Sequence, residues 1–305
     1  MSERVIGLLF AGLLFAGQIS AELSVDQSVE HRRAVERGAY LLHAGGCISC
    51  HTADDEDAKP LAGGHALETA FGTFYSPNIT PDETSGIGTW SDEDFLRAMQ
   101  EGRRPDGAHY YPVFPYTAYS GMGRDEILAI KAYLFSLEPV SQQRPDHDLP
   151  WYLSSRLMAG AWKFLFFTPQ RFTPDDEQSD AWNRGAYLIR HLGHCGECHT
   201  SRNALGGLIS DLELSGNPDG PDGKKVPNIT PDRKSGIGKW SADEIEFFLE
   251  LGMLPDGDFT GSSMSPVIDD NTSYLTPDDR QAIAVYLQSL PALNTDDNKN
   301  NNAGS

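Results

Sequence analysis

The sequence predicts an all-α protein made of two tandem copies of one domain, each with long loops wrapped around a bound group. Three observations carry that prediction: a block of sequence that returns 150 residues later, apolar residues at helical spacing, and two cysteine pairs each closed by a histidine. Strand signals are scarce.

Along the chain, Arg4 precedes an uncharged apolar run from Val5 to Gly17, and Gln18-Ile19-Ser20-Ala21 follows with small residues at its end. This order predicts a secretory leader over residues 1–21, cleaved after Ala21, because the run is shorter than the roughly 20 residues a spanning helix needs. An uncleaved anchor is the alternative. The first copy covers residues 31–140 and the second 181–292. Ser76-Pro77-Asn78-Ile79-Thr80-Pro81-Asp82 returns as Val226-Pro227-Asn228-Ile229-Thr230-Pro231-Asp232, and Ser85-Gly86-Ile87-Gly88 before Trp90 returns as Ser235-Gly236-Ile237-Gly238 before Trp240.

Each copy opens on a helix, at about Glu30 to His43 in the first, with Arg37-Gly38-Ala39-Tyr40-Leu41 matching Arg184-Gly185-Ala186-Tyr187-Leu188. A second helix starts at Ser91, whose hydroxyl caps it with Asp94 three residues on; Ser241 and Glu244 repeat the device. A last helix follows Asp125 with Ile127, Ile130, Tyr133 and Leu134 on its apolar positions, and Asp278 leads its partner. The stretches of about 40 residues between each cysteine pair and its tryptophan are too long for a compact domain unless a large prosthetic group fills the centre.

Cys47-Ile48-Ser49-Cys50-His51 and Cys195-Gly196-Glu197-Cys198-His199 are both C-x-x-C-H, the attachment sequence of c-type haem. Two thiols one helical turn apart add to the two vinyl groups, and the next histidine sits beneath the iron as proximal ligand. A zinc site would leave each pair short of ligands, since the pairs lie in separate copies. A thioredoxin-like redox pair needs a βαβ pattern, which is missing. The cofactors implied are two covalently bound haems c, held by Cys47, Cys50, His51, Cys195, Cys198 and His199.

With these residues in hand, the chain resembles a dihaem cytochrome c built from two class I cytochrome c domains. The stretch from Phe71-Gly72 through Pro77-Asn78-Ile79-Thr80, Gly86-Ile87-Gly88 and Trp90 to Pro115-Tyr116 is similar to the cytochrome c subunits of membrane-bound bacterial alcohol and sugar dehydrogenases. The resemblance implies an electron carrier in the periplasm, not itself an enzyme, that passes electrons from a dehydrogenase toward a cytochrome or oxidase of the respiratory chain. It also implies that the first and last helices of each copy cross at Gly38 or Gly185. The rival class is a dihaem enzyme, such as a peroxidase.

The sixth iron ligands separate these readings. Met264, in Gly261-Ser262-Ser263-Met264-Ser265-Pro266, lies in the loop before the last helix, where a class I cytochrome presents its thioether. The position 150 residues earlier is Phe114, a departure from the family pattern. Met122, eight residues further on, is the expected ligand of the first iron; His109 and an open site are the alternatives. Met99 reads as core.

Other repeated residues carry two readings each. Trp90 and Trp240 either hydrogen-bond haem propionates or pack in the core, and Asn78, Thr80, Asn228 and Thr230 either meet propionates or cap their loops. His191 and His194 read as solvated, and Asp54-Asp55-Glu56-Asp57 as a solvated acidic loop. Residues 141–180 form an aromatic-rich connector, in which 151–167 is either a buried clamp between domains or a patch that meets a dehydrogenase subunit or the membrane surface. Residues 293–305 read as a disordered tail. Finally, 44 acidic against 24 basic residues give a net charge of −20, which excludes nucleic acid and favours partners with a basic face.

Overall fold

A computed structural model describes residues 27–261 and 263–294. The leader expected at 1–21 and most of the tail expected at 293–305 lie outside the described residues.

The first half begins with α1, helical from 27 to 44, followed by the short α2 (Cys47–His51). A β-hairpin comes next, β1 (Ala66–Thr69) antiparallel to β2 (Gly72–Tyr75) with Ala66 opposite Tyr75. Then follow α3 (Asp92–Glu101), α4 (Tyr116–Tyr119) and α5 (Arg124–Phe135). The connector contains α6 (Arg156–Phe166). The second half runs through α7 (Asp180–Tyr187), α8 (Gly196–His199), α9 (Ala242–Leu251), α10 (Met264–Asp270) and α11 (Pro277–Ser289).

Local chemistry sets these boundaries. Ser91 accepts from the backbone of Asp94 while the Asp94 carboxylate accepts from Ser91, and Ser241 with Glu244 does the same, so both predicted capping boxes are present. The all-α expectation fails at 66–75. Strands of four residues are too short to show alternation, and this hairpin is held from outside: Thr73 exchanges backbone hydrogen bonds with Asp148, and Phe74 is buried with Tyr111 and Ala159 of α6. The loop expected around Met264 is also partly helical, since Met264 is the first residue of α10.

In each half the first and last helices cross at a glycine, as the resemblance implied. A Cβ on Gly38 would lie 1.9 Å from the Ala129 carbonyl oxygen of α5, and one on Gly185 would lie 2.0 Å from that of Ala282 in α11. Backbone cannot yield as a side-chain tip can. Gly38→Ala or Gly185→Ala is therefore expected to cost about 3 kcal/mol or more, beyond ordinary overpacking, as a lower midpoint in denaturant unfolding.

One apolar core runs through both halves, from Leu41, Leu42, Met122 and Ile130 to Leu188, Leu192, Ile283 and Tyr286. Polar contacts across it are reciprocal. Arg184 makes two hydrogen bonds to Asp279 at 2.8 and 2.6 Å, and Tyr40 of the first half donates to the same carboxylate. In mirror image, Arg37 pairs with Glu126 at 3.2 Å and Tyr187 of the second half donates to that carboxylate. Burial opposes ionisation of Asp279, but the bonds from Arg184 and Tyr40 outweigh it and hold the carboxyl below its ordinary range.

The helix that starts as α7 continues as a π-turn over Leu188–Leu192, where the N–H of Gly193 donates to the Leu188 carbonyl at 2.7 Å. This turn absorbs the one extra residue between Arg184 and Cys195 relative to Arg37 and Cys47. It also turns His191 and His194 toward the first half, and neither is solvated as expected. His191 bonds the Ala118 carbonyl at 3.0 Å, and His194 meets the Gly45 carbonyl at 3.3 Å while its ring lies edge-on to Tyr119.

Candidate haem-binding site

Each C-x-x-C-H motif stands on its own short helix directly after the first long helix of its half. In α2 the motif fills the helix; in the second half Cys195 is the N-cap of α8. None of the four cysteines forms a disulfide among the described residues, and Cys47 and Cys195 pack against the apolar core. The Cys198 thiol is pushed up to about 12, by burial first and then by Glu197 and Cys50. The two motifs approach one another where His194, beside Cys195, meets the carbonyl of Gly45, two residues before Cys47, at 3.3 Å.

The histidines are held identically. His51 Nδ1 donates to the Pro77 carbonyl at 2.8 Å, and His199 Nδ1 to the Pro227 carbonyl at 2.8 Å. Burial pushes both imidazoles toward the neutral form, against these bonds. With Nδ1 engaged, Nε2 is the ring atom left for a metal, and the carbonyl raises its basicity. This donor set, two thiols and a neutral imidazole with a fixed tautomer, fits covalent haem in both halves.

The loop after each motif is built twice in the same way, which the sequence reading missed. Gly63 N–H donates to the His51 carbonyl at 2.7 Å and Gly216 N–H to that of His199 at 2.8 Å. Thr52 Oγ1 accepts from Leu61, and Thr200 Oγ1 from Leu214. Leu61 and Leu214 both take the left-handed backbone region, φ 63° and 60°, and both are buried. That conformation costs a leucine about 1–2 kcal/mol, so its recurrence beside both histidines marks a constraint imposed by the site. The signal available was the pair Leu61-Ala62-Gly63 and Leu214-Ser215-Gly216.

Asn78 and Thr80 turn inward to protein partners. Asn78 Oδ1 accepts from Thr80 N–H and Oγ1, and its Nδ2 donates to the Val140 carbonyl at 2.7 Å. Asn228 and Thr230 repeat this, with Asn228 Nδ2 donating to the Leu293 carbonyl at 2.6 Å. These residues clamp the segment after each last helix. Trp90 and Trp240 pack against the core, edge-on to Phe95 and Phe248.

Of the sixth-ligand candidates, Met122 is fully buried in the shared core, with its carbonyl held by Gln100 Nε2 at 2.9 Å. Met264 is half-buried at the start of α10, and Met99 lies in the core on α3. His109 sits in a different place: its ring lies against Gly160 of α6, its Nδ1 without a partner. Phe114 packs among Tyr110, Tyr116 and Tyr119. Asp54 to Asp57 are exposed, with Asp54 paired to His65 at 3.1 Å. Among the described residues no cluster of three or more His, Cys, Asp or Glu side chains could hold a bare metal ion, so the zinc reading finds no further ligands.

The Cytochrome c family profile matches residues 35–138. Over 261 residues the chain is 42% identical to a "Diheme cytochrome c-type" protein of Cereibacter sphaeroides, an alignment covering 84% of this chain and 86% of that one. The chain belongs to the cytochrome c family. Membership implies covalent haem c and makes this cytochrome an electron-transfer component rather than a catalytic enzyme. It is also 38% identical, over 86% of its length, to a "Fructose dehydrogenase cytochrome subunit" of Gluconobacter japonicus. The value is again 38%, over 85% of its length, for an "Alcohol dehydrogenase (quinone), cytochrome c subunit" of Gluconacetobacter polyoxogenes. This cytochrome spans 54% and 56% of those two relatives.

Proposed function

We propose that this cytochrome is an exported dihaem electron carrier of the periplasm that takes electrons from a dehydrogenase and passes them toward the respiratory chain. In this reading residues 31–140 and 181–292 are two class I domains. Cys47, Cys50 and His51 hold one haem, and Cys195, Cys198 and His199 the other. Met122 and Met264 are the sixth ligands.

The observation that carries the proposal is the duplicated histidine geometry, Nδ1 to a proline carbonyl at 2.8 Å in both halves. When bound, each haem supplies one reversible ferric–ferrous electron. The chain's own residues set how easily that electron moves. The Pro77 and Pro227 carbonyls orient the imidazoles, the buried shell of Leu61, Leu214 and Met122 excludes water, and the rigid shared core limits rearrangement on reduction. The contact of His194 with the Gly45 carbonyl at 3.3 Å, each residue within two positions of a motif, supports transfer from one half to the other.

The names of the relatives support a dehydrogenase as donor. The charge of −20 supports docking to basic faces. Mass spectrometry of the purified protein should find two covalent haems, and its ferric spectrum should be low-spin with no peroxide turnover. Fewer than two haems would overturn the dihaem reading, and a high-spin signal with peroxide consumption would replace the carrier by a peroxidase.

A further inference from the structure

Helix α6 presents its apolar side to solvent. Leu157, Met158, Ala161, Phe164 and Leu165 recur at the i, i+1, i+4, i+7, i+8 spacing of one helix face, and all five are exposed, Leu157 at 81%, Phe164 at 88% and Leu165 at 64%. Trp151, 86% exposed, and Tyr152 extend the patch ahead of the helix. The opposite face fixes α6 to the body. Ala159 is buried, Trp162 Nε1 donates to the Leu205 carbonyl at 2.9 Å, and Lys163 Nζ donates to the Gly102 carbonyl at 2.9 Å.

The charge of this segment opposes that of the whole. From Leu149 to Pro174 there is no Asp or Glu, while Arg156, Lys163 and Arg171 are present, in a chain with 44 acidic and 24 basic residues. Beside α6 lies a cavity of about 620 Å³ lined by Arg103, His109, Lys163 and Arg171, with Phe164 and Phe167 on its wall and Glu101 as its one carboxylate. The buried Nδ1 of His109 has no partner there.

We propose that the α6 face is a bilayer-docking surface, with the headgroup of an anionic phospholipid held in the cavity of Arg103, Lys163 and Arg171. An apolar aromatic stripe on a segment whose only charged side chains from Leu149 to Pro174 are cations matches the boundary between acyl chains and anionic headgroups. A protein partner with a basic face, suited to the rest of this acidic surface, meets its poorest complement here, and the same face of a second copy carries like charges. At 11 residues α6 is about 16 Å long, which suits lying in the interface plane and not crossing it. The remaining acidic surface then faces away from the lipid, open to redox partners. This inference stands apart from the electron-transfer reading and fails separately from it.

The test is flotation of the haem-loaded protein with vesicles of phosphatidylcholine alone, or of phosphatidylcholine with 30% phosphatidylglycerol. Wild type should float with both, more strongly with the anionic vesicles, and less at high salt. Phe164→Glu with Leu165→Glu should weaken binding to both at least about tenfold, with the haem spectrum and circular dichroism unchanged. Arg103→Gln with Arg171→Gln should lose only the preference for phosphatidylglycerol, by about fivefold per cation. The docking proposal is overturned if wild type floats with neither vesicle, or if the Phe164/Leu165 variant floats as well as wild type. A phosphatidylglycerol preference undiminished by loss of both arginines overturns the headgroup site. Co-purification with a protein that depends on Phe164 and Leu165, without vesicle binding, assigns the face to a protein partner instead.

Discussion

Replacing Cys195 and Cys198 together by serine should leave a chain with one covalently attached haem in place of two, read directly as the loss of one haem mass. The effect should not stay local. Cys195 packs against a core shared with the first half, and the α8 loop meets that half through Glu197, which accepts from Thr117 at 2.9 Å, and through His194 on Gly45. A large prosthetic group withdrawn from one half leaves a cavity that the common core must bear, and cavities of even side-chain size cost about 2–5 kcal/mol. The expected result is a chain that unfolds at markedly lower temperature throughout, with the first haem's spectrum broadened. The matching pair Cys47→Ser with Cys50→Ser should behave alike, because the tyrosine clamps are reciprocal. Two haems retained in either variant would show that the motifs are not the attachment sites.

Met264→Ala should abolish the thioether–iron band of the second haem in the far-red ferric spectrum and lower that haem's potential by on the order of 0.1–0.3 V, part of the roughly 0.8 V span that axial ligands cover. Met122→Ala should do the same to the first haem and, since Met122 is fully buried, also destabilise the fold by about 2–5 kcal/mol. The half-buried Met264 should cost less stability for the same spectral loss. This difference separates the two positions even though both are proposed as ligands. A full far-red band in the double variant would eliminate both methionines as the thioether ligands, whereas a band that Met122→Ala leaves untouched while Met264→Ala abolishes it would return His109, or an open site, to the first haem.

What could be read in the sequence was what lies close together along it. The C-x-x-C-H motifs are complete within five residues, and the Ser91–Asp94 and Ser241–Glu244 boxes within four, so their geometry follows from local chemistry. The partners that finish the site are distant. The carbonyls of Pro77 and Pro227 come from loops 26 and 28 residues beyond their histidines, and nothing in a proline's side chain announces that its carbonyl is wanted. The strained Leu61 and Leu214 look like ordinary core leucines until φ is known. His191 and His194 read as solvated from the sequence because nothing in it announces the π-turn, whose one added residue of twist turns a solvent-side position inward. The connector shows the limit of composition most clearly. An aromatic segment is equally suited to clamp two domains or to face outward, and the packing of α6 does both at once, clamping on the Ala159 and Trp162 side and exposing the Phe164 side.

The reciprocal clamps have a further consequence. Tyr40 on Asp279 and Tyr187 on Glu126 are the contacts expected of a twofold homodimer, here written into a single chain. A dimer of separate subunits falls apart on dilution, whereas tethered halves face each other at a fixed, high effective concentration however scarce the protein becomes. Two tethered halves are also free to differ. One carries the β-hairpin and the other the π-turn, and the link between them carries α6, so a symmetric contact supports a molecule with two distinct ends and a direction between them.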